Sequence, residues 1–363
     1  MSNTNYKANN TDLIQLFRPL TSAPIANTGY FSGQYSSDLS QIFEPYISGT
    51  EKVPPTKYRI SNGNDLSDIF LNINPVLIWT AVGPSRDWRS VASSSDGTKL
   101  VACADNAQIY TSIDSGVSWT ARETNQNWSA VACSNDGTNL VACINGGQIY
   151  TSSDSGVNWT PRETDRNWSD VADNYNGSIL VACVNGGQIY ISANFGVSWT
   201  ARETTQNWSA VASDAFGEKL FACVNGGEIY TSTDSGVTWS NANNAGTRNW
   251  SAIACSSDGT RLVACVNGGK IYTSTDSGVS WTARTTTQNW SDVACDFGGD
   301  ILIACVNGGQ IYISTDGGVT WTATQSTYNW SSVACSPDGN KFVAAYDNPN
   351  FLDTGEIYTG NYV

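Results

Sequence analysis

The chain has 363 residues, of which 40% are hydrophobic and only 14% are charged, and its formal net charge at pH 7 is -14. An acidic chain without a basic cluster is poorly suited to bind DNA, RNA or anionic lipid. The chain contains no histidine, which excludes histidine-activated nucleophiles, imidazole metal ligands and a histidine pH switch.

The first 76 residues contain three short repeats, each with a tyrosine followed by Asp-Leu-x-x-(Ile/Leu)-Phe. Each aspartate can cap one amphipathic turn, but a segment of this size can form little core alone. These repeats resemble those of structural proteins of large DNA viruses and some phages, which implies an attachment segment at residues 1–76. The alternative is a subdomain packed on the rest of the chain. The apolar attachment residues are Leu13, Phe17, Leu39, Phe43, Leu66 and Phe70.

From residue 77 onward the sequence repeats a unit of about 40 residues. Each unit contains four short runs rich in Val, Ile, Tyr and Trp, separated by turns of Gly, Asn or Asp. One such sheet buries too little apolar surface alone, so the units must stack into a closed ring. We therefore predict an all-β fold, a seven-bladed β-propeller with four-stranded antiparallel blades over residues 77–363. The first tryptophan of each unit is called the entry tryptophan: Trp88, Trp128, Trp168, Trp208, Trp250, Trp290 and Trp330.

The two ends of the repeat region predict how the ring closes. The seventh unit, which begins at Trp330, stops after its third strand at Glu356–Thr359. Residues 77–82 match the missing fourth strand and precede the first unit. We therefore expect residues 77–82 to complete the last blade through sheet hydrogen bonds.

The segment before the fourth strand carries the motif Ser-x-Asp-x-Gly-x-x-Trp, as in Ser112, Asp114, Gly116 and Trp119. Four further units repeat it, and the third copy has Asn194 in place of aspartate. The motif resembles the Asp-box, or bacterial neuraminidase repeat, of sialidases, sortilin-type receptors and photosystem assembly factors. In that family the motif is structural, so the resemblance implies a hairpin and not an activity.

The sequence argues against a sialidase, although the resemblance includes that family. Sialidases have three arginines that converge on the substrate carboxylate, a tyrosine nucleophile paired with a glutamate, and an aspartate that acts as the acid/base. Here Arg122, Arg162, Arg202 and Arg284 share one repeat position beside the outermost strand, so they should circle the rim and pair with neighbouring glutamates. No close pair of carboxylates is evident either. We therefore predict a protein with no enzymatic activity and with no cofactor or metal.

The ten cysteines occupy two repeat positions, but four units have a cysteine at only one of them. Unpaired positions favour small buried thiols in a reducing compartment over disulfides, and the spacing does not suit zinc. The N-terminal residues show no signal peptide, and no stretch is long enough to span a membrane.

Together these features predict a non-enzymatic structural or binding protein, a virion surface or fibre-like component assembled in a reducing cytoplasm. Its partners would be other virion or complex proteins through residues 1–76, and a glycan or host-surface ligand on the propeller. We expect no nucleic-acid partner and no membrane insertion. The alternatives are a free multivalent lectin and a cytoplasmic assembly factor for a protein complex.

The predicted binding face combines the turns between second and third strands with the entry tryptophans, because indole faces and amides recognise sugars. The alternative is that the Gly-Gly pairs are only turns and the tryptophans only core. The predicted residues are Trp128, Trp168, Trp208, Trp250, Trp290, Asn145, Asn185, Asn225, Asn267 and Asn307. In the long loop of the last unit, Tyr346, Asn350 and Phe351 are predicted as asymmetric docking points.

Overall fold

The computed structural model describes residues 77–241, 244–347 and 355–362. These residues form 26 strands and no helix, and they belong to the compact unit Pro75–Val363. Among them there is accordingly no helix that could span a membrane. The predicted attachment residues Leu13, Phe17, Leu39, Phe43, Leu66 and Phe70, like Asn350 and Phe351, lie outside the described residues.

The described strands form seven four-stranded antiparallel blades, so the predicted seven-bladed β-propeller is confirmed. Blades one and two comprise β2 (Trp88–Ser93), β3 (Leu100–Ala104), β4 (Ala107–Ser112), β5 (Thr120–Gln126), and then β6 (Trp128–Cys133), β7 (Leu140–Gly147), β8 (Ile149–Ser152) and β9 (Thr160–Pro161). Blade three comprises β10 (Arg166–Asp173), β11 (Leu180–Ser192), which covers its second and third strands, and the first part of β12 (Thr200–Ser213). Blade four comprises the rest of β12, then β13 (Leu220–Gly227), β14 (Ile229–Ser232) and β15 (Ser240–Asn241).

The last three blades follow the same plan. Blades five and six comprise β16 (Arg248–Cys255), β17 (Leu262–Gly269), β18 (Ile271–Ser274), β19 (Thr282–Ala283), and then β20 (Gln288–Cys295), β21 (Leu302–Gly309), β22 (Ile311–Ser314) and β23 (Thr322–Ala323). Blade seven comprises β24 (Tyr328–Cys335), β25 (Lys341–Asp347), β26 (Ile357–Tyr362) and β1 (Leu77–Val82). Strand β1 pairs antiparallel with β26, from Leu77 opposite Tyr362 to Val82 opposite Ile357. The predicted closure of the last blade by residues 77–82 is therefore confirmed.

The core consists of apolar layers between neighbouring blades. Trp168 of blade three lies in one cluster with Ile149 of blade two and with Leu180 and Tyr190 of its own blade. The ring of Trp168 meets the ring of Tyr190 edge to face at a centroid distance of 5.1 Å. All seven entry tryptophans are at most 1% exposed. Truncating one of them to alanine is therefore expected to cost about 3–5 kcal/mol.

A β-bulge follows each entry tryptophan and explains the recurrence of serine at the next position. In blade three the pairing register with β11 shifts between Trp168 and Asp170, which leaves Ser169 unpaired. The Ser169 hydroxyl donates a hydrogen bond to the carbonyl of Trp208 in blade four, at 2.9 Å. Ser129, Ser209, Ser251 and Ser291 make the same bond to the entry tryptophan of the following blade.

A second set of inter-blade bonds joins the turns between first and second strands. The backbone N–H of Tyr175 in blade three donates to the carbonyl of Ala215 in blade four at 3.0 Å, and equivalent bonds connect each blade to the next from one to seven. Blade seven cannot repeat the bond to blade one because Pro337 occupies the donor position and proline has no N–H. At that junction the Lys341 ammonium donates to the Asp96 carbonyl instead.

Candidate functional site

The propeller presents two faces with different chemistry. One, the entry face, carries the turns between second and third strands and the connections that lead into each blade. The other, the turn face, carries the turns between first and second strands and those between third and fourth strands. Turns of these two kinds are hydrogen-bonded to each other on the turn face, as between the Phe195 N–H and the Ser178 carbonyl at 3.1 Å.

The structure places the predicted asparagines Asn145, Asn185, Asn225, Asn267 and Asn307 in exposed positions on the entry face. Each turn pairs with the segment that enters the next blade, as Asn145 does with Asn167. Gly146 has φ +79, and a Cβ there would meet no atom within 4 Å. This glycine is therefore required by the backbone conformation and not by close packing.

The predicted tryptophans require a correction. Trp128, Trp168, Trp208, Trp250 and Trp290 are at most 1% exposed, because each indole fills the layer between two blades. None of these five indole faces is therefore free to stack on a sugar. Tyr346 is also buried, at 8% exposed, and it stacks on Tyr328 at a centroid distance of 4.4 Å.

Arg122, Arg162, Arg202 and Arg284 lie at or beside the outermost strands of four blades. The Nε atoms of Arg122, Arg162 and Arg284 donate to threonine hydroxyls on the adjacent third strands at 2.7–3.0 Å. The expected pairing with neighbouring glutamates is not observed in the described ranges, where Glu163 pairs with Arg166 instead, at 3.6 Å. These bonds hold three of the guanidinium groups along their own blades, whereas the Nε of Arg202 is buried without a hydrogen-bond partner because Ile191 stands in place of the threonine. The four arginines share one position in four different blades and therefore do not form a cluster for a substrate carboxylate.

Two aspartates on the innermost strands were missed by the sequence analysis. Asp170 accepts hydrogen bonds from the N–H of Val171 and from the N–H of Val211 in the next blade, both at 2.9 Å. Asp292 makes the equivalent pair of bonds in blades six and seven. Burial raises the pKa of Asp170 to about 7 and that of Asp292 to about 6, although the N–H donors oppose the rise. These carboxylates therefore join neighbouring blades, and the charge of Asp292 contributes to the raised pKa of Asp170.

The Ser-x-Asp-x-Gly-x-x-Trp hairpins are closed by their own hydrogen bonds. In blade one Asp114 accepts from the Ser118 N–H and from the Ser112 hydroxyl, both at 2.8 Å, and the Trp119 indole donates to the Gly116 carbonyl. Hydrogen bonds from the turn lower the pKa of Asp114. In blade three Asn194 preserves the geometry, because its oxygen accepts from the Ser198 N–H at 2.9 Å. The oxygens of these hairpins are thus occupied by structural bonds.

The described ranges contain no group of three or more His, Cys, Asp or Glu side chains that could hold a metal ion. All ten cysteines are free thiols. Burial raises the pKa of Cys143 and Cys223 to about 12, and the other thiols shift in the same direction. These thiols are therefore neutral at physiological pH and are poor nucleophiles.

The turn face carries an asymmetric group of aromatic side chains on blades three and four. Tyr175 is 52% exposed, Phe195 48% and Phe216 71%, and Val197 beside them is 62% exposed. We call these four residues the aromatic sector. Their turns are adjacent, since the backbones of Tyr175 and Ala215 are hydrogen-bonded and the Asn174 amide donates to the Phe216 carbonyl at 3.4 Å.

Seven antiparallel four-stranded blades closed around one axis define a β-propeller, and the comparisons with known proteins agree. A family model described as the DUF6242 β-propeller domain matches residues 175–297, about a third of the chain. The solved structure described as YCF48 bound to D1 peptide is 17% identical, with a TM-score of 0.61 over 80% of this chain and 98% of that one.

Two further solved structures share the fold. The Cps50 (Swd1) β-propeller domain of Myceliophteria thermophila is 13% identical, with a TM-score of 0.60 over 79% of this chain and 100% of that one. The GH74 enzyme of Niastella koreensis is 19% identical, with a TM-score of 0.62 over 74% of this chain and 52% of that one. No curated protein matches the chain in sequence. At these identities the likeness concerns the fold alone.

Proposed function

We propose that the chain is a non-enzymatic binding protein that presents the aromatic sector of its turn face to a protein partner. The observation that carries this proposal is the exposure of Tyr175, Phe195 and Phe216 on adjacent turns of a rigid ring. Large aromatic side chains are enriched at protein interfaces, where they bury much area at a small cost in conformational entropy. A group of exposed apolar side chains of this kind is unusual on a surface that has no binding partner.

The backbone at Phe195 supports a role for its ring. Phe195 has φ 58, in the left-handed region that costs a bulky residue on the order of 1 kcal/mol. The equivalent residues in four other blades are serines with φ between 56 and 60: Ser115, Ser155, Ser235 and Ser277. A small polar residue therefore suffices for the turn, and the exposed phenylalanine adds nothing to the core. Contact of the exposed ring with a partner accounts for the phenylalanine at this position.

A propeller of similar fold offers a precedent, since YCF48 is bound to D1 peptide in its solved structure. That precedent supports a peptide or protein ligand for the ring in general. It also agrees with the earlier alternative of an assembly factor.

The test compares two surface variants in affinity capture from cells that contain the protein. The triple variant Tyr175→Ser, Phe195→Ser and Phe216→Ser should lose its captured partner. A matched control, Phe297→Ser with Val319→Ser, removes exposed apolar side chains from blade six of the same face and should retain it. Thermal unfolding of both variants checks the fold. A triple variant that folds and captures the same proteins as the wild type would refute the proposal.

A glycan ligand on the entry face is a second candidate, favoured by the exposed ring of Asn145, Asn185, Asn225, Asn267 and Asn307. With the entry tryptophans buried, recognition would depend on these amides. Glycan-array binding that is lost when Asn185 and Asn225 are changed to alanine would support a lectin. Binding that is indifferent to those changes would count against it.

We further propose that residues 1–76 attach the propeller to a larger assembly, specifically a virion assembled in a reducing cytoplasm. The support is the resemblance of the Tyr…Asp-Leu…Phe repeats to those of viral structural proteins, together with ten free thiols. Mass spectrometry of purified particles should detect the protein. Residues 1–76 fused to an unrelated carrier should be incorporated, and a carrier that stays outside the particles would contradict this attachment role.

A further inference from the structure

A cleft of about 290 Å³ lies between blades two and three, lined by the hairpins of the turn face. The equivalent spaces between blades one and two and between blades five and six measure about 10 and 20 Å³. Small-molecule sites begin at about 300 Å³. The repeat therefore produces a ligand-sized space at this junction where it leaves almost none at the two equivalent ones.

The cleft is open because a long side chain is missing from it. Lys99 lines the narrow space after blade one, and Arg261 lines the one after blade five. At the equivalent position after blade two stands Asn139, whose amide donates to the Asn176 carbonyl at 2.9 Å. Asparagine is too short to fill the space that lysine or arginine fills.

A carboxylate without a partner lines the same cleft. The Oδ2 atom of Asp173, at the end of innermost strand β10, is buried and accepts no hydrogen bond. A buried, unpaired carboxylate oxygen is costly. The equivalent residues of the other blades are uncharged: Ser93, Cys133, Ser213, Cys255, Cys295 and Cys335.

The other clefts show that an ammonium group fits beside this position. Burial raises the pKa of Cys133 well above its ordinary value, and the charge of Lys99 opposes that rise. Lys219 acts in the same way on Cys255. The Lys99 ammonium also donates to the Ser155 hydroxyl at 3.2 Å. After blade two Asn139 replaces this lysine and Asp173 replaces the thiol, with Phe195 in the place of the serine.

We propose that the cleft between blades two and three binds an alkylammonium ion, with Asp173 as its counter-ion and Leu180 and Phe195 against its carbon chain. The ring of Phe195 adds a cation–π contribution. Arg162 on the outermost strand also lines the cleft and disfavours a second positive charge, so the ligand is a monovalent amine. Asp154 lines the wall as well, but its oxygens are held by the Asn158 and Ser152 hydrogen bonds.

The ammonium can come from a free small amine or from a lysine side chain of another protein. Calorimetric titration with n-butylammonium chloride and with Nα-acetyl-lysine methylamide separates these sources, and neutral 1-pentanol is the control. The titrations are run at pH 9, because the pKa of Asp173 is raised to about 8 and both amines keep their charge there. The wild-type protein should bind at least one amine at this pH, and pentanol should bind far more weakly. This inference does not depend on the proposed protein partner, because the probes need none.

Two variants test the residues. Asp173→Ser installs the residue of blades one and four and should weaken amine binding about tenfold or more. Asn139→Lys restores the side chain of blade one and should abolish binding, since its own ammonium fills the cleft. Thermal unfolding confirms that each variant folds. Amine binding that survives Asp173→Ser, or no binding of either amine by folded wild-type protein, overturns the proposal.

A transplant provides the reciprocal test. Lys99→Asn opens the cleft after blade one, and Lys99→Asn with Cys133→Asp also supplies the carboxylate. In an Asp173→Ser background the double change should restore amine binding, whereas Lys99→Asn alone should not. Equal binding by both would show that an open cleft suffices without the carboxylate and would contradict the assignment to Asp173.

Discussion

The buried carboxyl group of Asp173 predicts that the propeller loses stability as pH rises. Burial raises the pKa of Asp173 to about 8, whereas an aspartate in an unfolded chain titrates near 4. Between these pH values the folded state holds a proton that the unfolded chain releases. The free energy of unfolding therefore falls as pH increases through this window, and the fall is complete above the folded-state pKa.

The magnitude follows from the width of the window. About three pH units separate pH 5 from the folded-state pKa, and each corresponds to about 1.4 kcal/mol, so the loss is on the order of 4 kcal/mol. For a domain of this size about 2 °C of melting temperature corresponds to 1 kcal/mol. We therefore compare the melting temperature of Asp173→Ser with that of the wild type at each pH. The difference, variant minus wild type, should be about 8 °C larger at pH 9 than at pH 5.

The assay is differential scanning calorimetry of both proteins from pH 5 to pH 9 in buffers that contain no amine. Asp170 and Asp292 titrate in both proteins, so the difference between the two curves isolates Asp173. Ser213→Asp is the reciprocal control, since it places a carboxylate at the equivalent position of blade four and should make stability fall more steeply with pH. A difference between wild type and Asp173→Ser that is the same at pH 5 and pH 9 would refute the reasoning.

Three further predictions concern the ring itself. Ser291→Ala removes a hydrogen bond from blade six to the Trp330 carbonyl and should lower the free energy of unfolding, measured by urea denaturation, by about 1 kcal/mol. The control is Ser331→Ala, which should cost less because the Ser331 hydroxyl bonds within its own blade. Equal costs would count against an inter-blade role. Asp292→Ala removes the acceptor of two backbone N–H groups and should cost about 2 kcal/mol at pH 5, where the raised pKa of about 6 keeps the carboxyl protonated and no ionisation cost enters. An unchanged urea midpoint at that pH would mean that water replaces the carboxyl group. Deleting residues 77–82 exposes the edge of β26 and should cause aggregation on size-exclusion chromatography; a monomer with the wild-type melting temperature would contradict closure by β1.

The blade number and the closure could be predicted because each depends on a pattern that recurs many times. The entry tryptophan marks the start of every innermost strand, and a sheet with three strands at one end of the chain needs its fourth from the other. Residues 77–82 carried the same alternation as the other fourth strands. Strand pairing with β26 was therefore the one arrangement that left no open edge.

The sequence could not decide the exposure of the side chains that follow each tryptophan. The bulge at Ser169 and its equivalents shifts the register by one residue, and a one-residue shift sends a side chain to the opposite face. Alternation counted from Trp168 therefore could not place Asp170 or Asp173. A comparison of equivalent positions would have singled out both, because each carboxylate stands where most other blades have a small neutral residue.

Four departures from the repeat lie at or beside the junction of blades two and three, and their proximity favours a common cause over random variation. Asp173 and Asn139 face one cleft, while Phe195 occupies the hairpin beside it and Tyr175 the preceding turn. Each change lowers the stability of the propeller or exposes apolar surface: Asp173 leaves a carboxylate unpaired, Asn139 leaves a space unfilled, Phe195 strains the backbone and Tyr175 exposes an aromatic side chain. Independent losses would be expected to scatter over seven equivalent blades. A single ligand that pairs with the carboxylate, fills the space and covers the aromatic rings would compensate all four at once.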